Sequence, residues 1–199
     1  FLKVKPKDCK VFTIGAGSNL LVRDNGIDGV TLITSKLNKI TIDKDGVITA
    51  NSGSIDAEVA RFARDHSRSG LEFLIGIPGT IGGGIKMNAG CFQREFKDIL
   101  ISIQAVNKSG QVITIPAKDI NFKYRDSGLS EDLIFLSASF KGFKKDKSVI
   151  ENEIRLLKEK KEQAQPTKIK TSGSTFKNPI DQSDKRVWQL IQESVPLEK

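Results

Sequence analysis

Histidine and cysteine are nearly absent from this chain of 199 residues: one His, His66, and two Cys, Cys9 and Cys91. A tetrahedral zinc site needs four such ligands, so none is expected here, and no other metal is implied. A disulfide between the two distant cysteines is one reading; buried free thiols in a reducing cytosol are the expectation. His66 is expected near a helix end, as a surface or hydrogen-bonded residue without a catalytic role. Tryptophan and tyrosine each occur once, and no tight basic block is interleaved with aromatics. The net charge of +8 therefore reads as a lysine-rich surface or an affinity for small phosphorylated ligands, not as a nucleic-acid binder. No apolar run approaches the ~20 residues that a membrane-spanning helix needs, so no membrane insertion is expected. The N-terminus, Phe1-Leu-Lys-Val-Lys-Pro6, has neither an initiator Met nor the layout of a signal peptide. It reads as a start in mid-protein. There is no internal repeat beyond two generic hairpins, and no low-complexity segment.

What the chain has instead is glycine, concentrated in Gly76-Ile-Pro-Gly-Thr-Ile-Gly-Gly-Gly-Ile-Lys-Met-Asn-Ala-Gly90. Glycine weakens helices and strands alike, so such a run needs a purpose. A flexible linker would be rich in Ser and polar residues. Here Ile75, Ile77, Ile81, Ile85 and Met87 are interleaved, which suits a half-buried loop that brings bare backbone N–H groups to an anionic or flat ligand. A second glycine element lies upstream, Gly15-Ala16-Gly17-Ser18-Asn19, after the β-rich Val11–Ile14. A Rossmann fingerprint would continue G-x-G-x-x-G into a helix. Position 20 is Leu, and Leu20 to Val22 reads as strand, followed by turn pairs at Asn25-Gly26 and Asp28-Gly29. The fingerprint is therefore disfavoured. A phosphate-cradling turn and a simple tight turn both remain open for Gly15–Asn19.

Along the chain, Val30–Ile33 reads as a strand. Ile40–Ile42 and Val47–Ala50 flank Asp43-Lys-Asp-Gly46, a hairpin signal. Ser54 reads as an N-cap, with Ile55, Val59, Phe62 and Ala63 at helical spacing to about Ser67. Ile99–Val106 and Val112–Ile115 flank Asn107-Lys-Ser-Gly110, a second hairpin, and Ile134–Phe140 reads as a further strand. Lys144–Lys147 reads as a turn and Ser148-Val-Ile-Glu151 as a capping box. The box opens a charged helix striped by Ile150, Ile154 and Leu157 that Gln165-Pro166 ends. Val187, Leu190 and Ile191 mark a last helix. This is no regular βαβ alternation, so an α+β fold is expected.

Four segments together resemble the UDP-N-acetylenolpyruvoylglucosamine reductase (MurB) family, flavoenzymes of bacterial cell-wall synthesis. They are GAGSNLLVRD at 15–24, GLEFLIGIPGTIGGGIKMNAG at 70–90, YRDS at 124–127 and GSTFKNP at 173–179. The Gln165-Pro166 pair, with no insertion between the last two motifs, is similar to the shorter, type II branch. The resemblance covers Phe1 to Glu193. It implies the vanillyl-alcohol-oxidase (PCMH-type) FAD-binding fold of two α+β subdomains, followed by a substrate-binding domain. On that pattern residues 1–142 are the FAD-binding domain, with its N-terminal part missing. Residues 143–199 are a linker helix and part of the substrate-binding region.

The resemblance also implies non-covalent FAD, NADPH as reductant and UDP-N-acetylglucosamine enolpyruvate as substrate. The protein would be a cytoplasmic monomer serving peptidoglycan synthesis, and through it cell shape and division. Gly15, Ala16, Gly17, Ser18 and Asn19 would form the first pyrophosphate loop. Gly76, Ile77, Pro78, Gly79, Gly82, Gly83, Asn88, Ala89 and Gly90 would wrap the flavin and its phosphates. In the implied reaction NADPH reduces the flavin, which passes hydride to the enolpyruvyl methylene carbon. Arg125 matches the family's enolate-stabilising arginine; a guanidinium is permanently charged and grips a carboxylate bidentately. Ser174 matches the proton donor, a weak acid that needs a partner for the alkoxide it becomes. Tyr124, Lys177 and Asn178 fall at motif positions near the substrate or its diphosphate. The family's C-terminal catalytic glutamate has no match, so this chain is expected to bind FAD but reduce substrate poorly or not at all. The alternatives are another FAD oxidoreductase of the same fold, which would usually lack the YRDS and GSTFKNP pair, or a non-catalytic FAD-binding fragment.

Overall fold

The computed structural model describes residues 1–164 and 176–195. They fall into two units, Phe1–Ala164 and Gln165–Lys199. Gln165-Pro166 lie outside the described residues, as do Gly173, Ser174 and Thr175 of the GSTFKNP motif.

The first unit begins with β1 (Val11–Ile14) and β2 (Val30–Ile33), a parallel pair in register from Val11↔Val30 to Ile14↔Ile33. Gly29 lies before β2 with φ +134, and a Cβ there would stand 2.6 Å from the Lys10 carbonyl oxygen, so only glycine lets the two chains close at that point. The expected strand at Leu20–Val22 does not form. Among the described residues no strand pairs with it, and Leu21 is 92% exposed.

The main sheet has five antiparallel strands. It contains the hairpin β3 (Ile40–Ile42) and β4 (Val47–Asn51), then, after α1 (Asp56–Asp65), β5 (Arg68–Ser69), α2 (Ile81–Lys86), β6 (Gly90–Cys91) and β7 (Arg94–Glu95), the hairpin β8 (Leu100–Val106) and β9 (Val112–Pro116). The last strand, β10 (Ile134–Lys141), inserts between the hairpins and gives the order β3-β4-β10-β8-β9. Each hairpin forms where its sequence places a local cap. Asp43 Oδ1 accepts the N–H groups of Asp45 and Val47, both at 2.9 Å, and Asn107 Oδ1 accepts those of Ser109 and Gln111, both at 3.0 Å.

One face of this sheet makes the core. Ile48 and Ala50 of β4, Ile103 and Ala105 of β8, and Ala138 and Phe140 of β10 are buried there under α2 and a 3-10 turn at Glu72–Gly76. Phe96 sits at its centre, edge-on to Phe73 and Phe140 at 6.4 and 6.0 Å between ring centroids. Outside this layer α1 and α3 (Lys147–Ala164) pack on the Glu72–Gly76 turn, with Ile150 and Ile154 of α3 buried as the stripe predicts. A short strand, β11 (Phe143–Lys144), pairs with β5 just before α3. The second unit carries α4 (Val187–Ser194), where the third apolar stripe predicts it.

Four local expectations give way. The glycine run is not one loop, because Ile81–Lys86 is helical. Ile55, not Ser54, is the residue before α1, since the Ser54 carbonyl accepts the Ile81 N–H at 2.9 Å and that pairing fixes where the helix starts. Asp146 caps α3 in place of Ser148: its Oδ1 accepts the Ser148 N–H at 2.8 Å. The two cysteines are free, as expected, but half-buried rather than buried. His66 closes α1 with Nδ1 2.9 Å from the Phe62 carbonyl and its ring stacked on Phe62.

Candidate functional site

The entry to α1 and the glycine run are stitched together by an antiparallel bridge between Ile55 and Thr80. The Asp56 N–H donates to the Gly79 carbonyl at 3.1 Å, and the Gly82 N–H to the Ser52 carbonyl at 2.8 Å. This pins Gly79–Gly82 against the end of β4. The upstream loop lies on the same spot. A Cβ on Gly15 would collide with Thr80 Oγ1, and a Cβ on Gly79 would stand 3.6 Å from Ser18 Oγ and 3.1 Å from Asp56 Oδ2. The two glycine elements, far apart in sequence, therefore meet.

The junction has two chemical properties. No backbone hydrogen bond engages the N–H groups of Ala16, Gly17, Ser18 or Asn19 among the described residues. Gly17 has φ +72 with open space around it, and Gly83 is exposed with nothing nearer to an added Cβ than Thr80 Oγ1 at 3.9 Å. Below them lie buried polar atoms without partners among the described residues: Ser52 Oγ, Thr80 Oγ1 and both carboxyl oxygens of Asp56. Burial pushes the Asp56 carboxyl from 3.8 up to about 8, because an ion in that site loses its hydration and meets no opposing charge. At neutral pH the floor is therefore uncharged.

A second cluster lies at the other end of α2, about 9 Å away at 1.5 Å per residue. Asn88 is fully buried, and its side chain is spent on protein groups. Nδ2 donates to Glu95 Oε2 at 3.0 Å and to the Lys123 carbonyl at 3.1 Å, while Oδ1 accepts the Lys97 N–H at 3.2 Å. Lys123 and Asp126 exchange backbone bonds of 2.8 and 3.2 Å, so Tyr124 and Arg125 form the tip of a tight turn. Arg125 has φ +56, and its guanidinium carbon stands 5.6 Å from the Tyr124 ring centroid. The Ser127 N–H donates to the Lys86 carbonyl at 3.1 Å and fastens the turn to α2. Close by, Lys161 Nζ donates to the Gly76 carbonyl at 2.7 Å. Burial raises the Cys91 thiol, and the Lys161 and Arg125 charges oppose that rise. Two cations thus border the half-buried segment from Gly76 to Cys91.

The residues predicted from the glycine run divide by their bonding. The N–H groups of Ile77, Gly82, Asn88 and Ala89 are taken by the carbonyls of Leu74, Ser52, Ile85 and Gly84. Gly76 and Gly90 are sites of close approach: a Cβ would stand 2.7 Å from Cys91 Sγ and 2.6 Å from the Arg94 carbonyl, respectively. Pro78 and Gly83 are exposed and Gly79 half-buried on the side of the upstream loop. In the second unit Lys177 is exposed, and Asn178 Oδ1 accepts the Val187 N–H at 3.1 Å at the start of α4. Ser174 lies outside the described residues. Sequence reasoning missed Ser52, Asp56, Thr80 and Lys161. Asp56 reads as an ordinary first-turn acid, and nothing local announces its burial. Among the described residues no group of His, Cys, Asp and Glu is placed to hold a metal ion, and no helix is long and apolar enough to cross a membrane.

An exposed loop of unengaged N–H groups, facing a glycine segment over an uncharged floor, has the donors to take an anionic group. Residues 4–116 match the model of the FAD binding domain. The chain belongs to this family, and its fold is the α+β fold of FAD-binding flavoproteins. Among named relatives, it is 58% identical over all 199 residues to the UDP-N-acetylenolpyruvoylglucosamine reductase of Pelagibacter ubique (strain HTCC1062), covering 66% of that protein. It is 42% identical over 197 residues to the reductase of the same name from Phenylobacterium zucineum (strain HLK1), covering 98% of this chain and 65% of that protein. The crystal structure of UDP-N-acetylenolpyruvylglucosamine reductase (MurB) from Thermus caldophilus superposes with a TM-score of 0.79 at 29% identity. That match covers 94% of this chain and 67% of the other. The chain spans about two thirds of the length of the curated relatives it matches.

Proposed function

We propose that this chain supplies the FAD site and part of the active site of a UDP-N-acetylenolpyruvoylglucosamine reductase. The enzyme would reduce UDP-N-acetylglucosamine enolpyruvate to UDP-N-acetylmuramate with NADPH, in the cytoplasm, for peptidoglycan synthesis. The observation that carries the reading is the docking of the Tyr124–Arg125 turn, through Asn88 and Lys86, at one end of α2, while the Gly15–Asn19 loop meets Gly79 and Thr80 at the other. A dinucleotide cofactor has the same division, an anionic diphosphate and a flat ring joined by a linker. The relatives named above support the substrate assignment.

The bound flavin supplies hydride chemistry. Ala16 to Asn19 hold the diphosphate through their N–H groups, with Gly79 and Gly83 leaving room for it. Arg125 stabilises the enolate that develops on the substrate carboxylate, because its charge is permanent and its fork matches two oxygens. The turn that carries it is braced by Asn88, so the guanidinium is positioned before substrate arrives. Ser174 delivers the proton to the neighbouring carbon. Tyr124, Lys177 and Asn178 serve the substrate or its diphosphate.

Anaerobic addition of NADPH to the flavin-loaded protein, followed by the enolpyruvyl substrate, tests this. Bleaching of the flavin bands, then their return with substrate alone, is expected of a protein carrying the full set of catalytic groups. Arg125→Lys should slow the return at least tenfold, since Lys cannot grip two oxygens, and leave bleaching unchanged. Equal rates of return in the two proteins would remove Arg125 from the chemistry.

A further inference from the structure

We propose that Asp56 is a proton gate on the diphosphate site: its neutral carboxyl admits the anionic cofactor and its ionised form excludes it. The inference rests on the FAD reading above. Asp56 opens α1 directly beneath the junction of the two glycine elements, where its Oδ2 stands 3.1 Å from the position of a Cβ on Gly79, itself 3.6 Å from Ser18 Oγ. Among the described residues Ser52 Oγ and Thr80 Oγ1 are buried and without partners there, as are both Asp56 oxygens. Buried polar groups are ordinarily bonded, and leaving several open in one place is costly unless something arrives to satisfy them. A protonated carboxyl and two hydroxyls are hydrogen-bond donors, and phosphate oxygens are acceptors.

The same geometry makes the carboxylate form repulsive. The segments that form the junction, residues 15–19, 52–55 and 76–84, contain no titratable side chain; the elements packed on α1 carry Glu72, Arg68 and the charges of α3, and burial is what shifts Asp56. On its own helix the nearest acid, Glu58, is exposed. Among the described residues no cation offsets a charge on Asp56, and burial lifts its carboxyl to about 8. A diphosphate brought to this junction meets an uncharged floor below that pH and a like charge above it, in a site too dry to screen the two.

The sign follows from linkage. FAD binding to the neutral form raises the Asp56 pKa further, so affinity is full below about 8 and falls as pH rises through it. If only the neutral form binds, the Kd scales inversely with its fraction, a weakening of about tenfold between pH 7 and pH 9. Asp56→Asn is neutral at every pH and nearly the same shape. Flavin fluorescence titrations of both proteins from pH 6 to pH 9 should show the weakening in wild type and a flat profile in the variant. Parallel profiles would overturn the proposal. Calorimetry in buffers of different ionisation enthalpy provides a reading that needs no variant. Wild type should take up about half a proton per FAD at pH 8 and almost none at pH 6; no uptake at either pH would overturn the gate even if Asp56→Asn fails to fold. Saturable FAD binding at pH 6 with either of these negative results would refute the gate alone. Absence of FAD binding at pH 6 in both proteins would refute the cofactor reading, and the gate with it.

Discussion

Replacing Asp56 by Asn should stabilise the flavin-free protein, and by an amount that depends on pH. The folded-state carboxyl is raised from 3.8 to about 8, so between those values the folded protein holds a proton that the unfolded chain has released. Wild-type stability must then fall as pH rises from about 4 to about 8, and level off above. At ~1.4 kcal/mol per pH unit the loss amounts to ~1 kcal/mol at pH 4.5, ~4 at pH 7 and approaches ~6 at pH 8 and above. The asparagine variant has no proton to hold and shows none of this slope. Asp65, Asp132 and Asp146 are held below the usual carboxylate range, chiefly by Lys147, Lys108 and Ser148, and push stability the other way in the acid range. They are shared by both proteins and cancel in the difference. Urea unfolding at pH 4.5, 6, 7 and 8 gives that difference directly, provided the m-values agree. A gap that widens steadily with pH is expected. A gap constant across the range would show that Asp56 is ionised in the fold, and would refute the reasoning.

The two central glycines of α2 should respond in opposite ways. Gly84→Ala drives a methyl into the Phe96 ring and should cost ~1–3 kcal/mol in urea unfolding. Gly83→Ala meets open space and should stabilise the flavin-free helix by up to ~1 kcal/mol while weakening FAD binding in a fluorescence titration. Asn88→Ala removes three hydrogen bonds from a fully buried amide and should cost ~2–4 kcal/mol. Hydrogen exchange should then speed up at Asp126 and Ser127, whose N–H bonds hold the Tyr124–Arg125 turn.

The parts of the fold that were legible in the sequence are those whose signals are local. Both hairpins of the main sheet form at the Asp43 and Asn107 turns, where one side-chain oxygen closes the loop on itself. The buried stripe of α3 follows Ile150 and Ile154 at helical spacing. The two caps are not legible locally, because a cap depends on where its helix begins, and that is set by contacts distant in sequence. The Ser54 carbonyl is drawn to the Ile81 N–H beside the Ile55–Thr80 bridge, and Asp146, two residues upstream, takes the cap from Ser148. In sequence the glycine run reads as a loop because glycine is a poor helix former. Yet Gly84 is helical, because Phe96 fills the space its side chain would take and the packed core outweighs propensity. Of the four motifs, the structure brings the two glycine elements together and fastens the Tyr124–Arg125 turn to α2. Asp56 is not legible in the sequence, since an acid in the first turn of a helix is ordinarily solvated, and only the fold reveals that Ser52, Gly79 and Thr80 close over it.

The central claim is that a dinucleotide's diphosphate lies where Gly15–Asn19 meets Gly79–Gly83. It is tested most directly by titrating the flavin-free protein with FAD and with riboflavin at pH 6.5 and following flavin fluorescence. FAD binding at one per chain, tighter than riboflavin by about a hundredfold or ~2.7 kcal/mol, is the predicted result. Riboflavin binding as tightly as FAD, or no saturable binding of either, would contradict it.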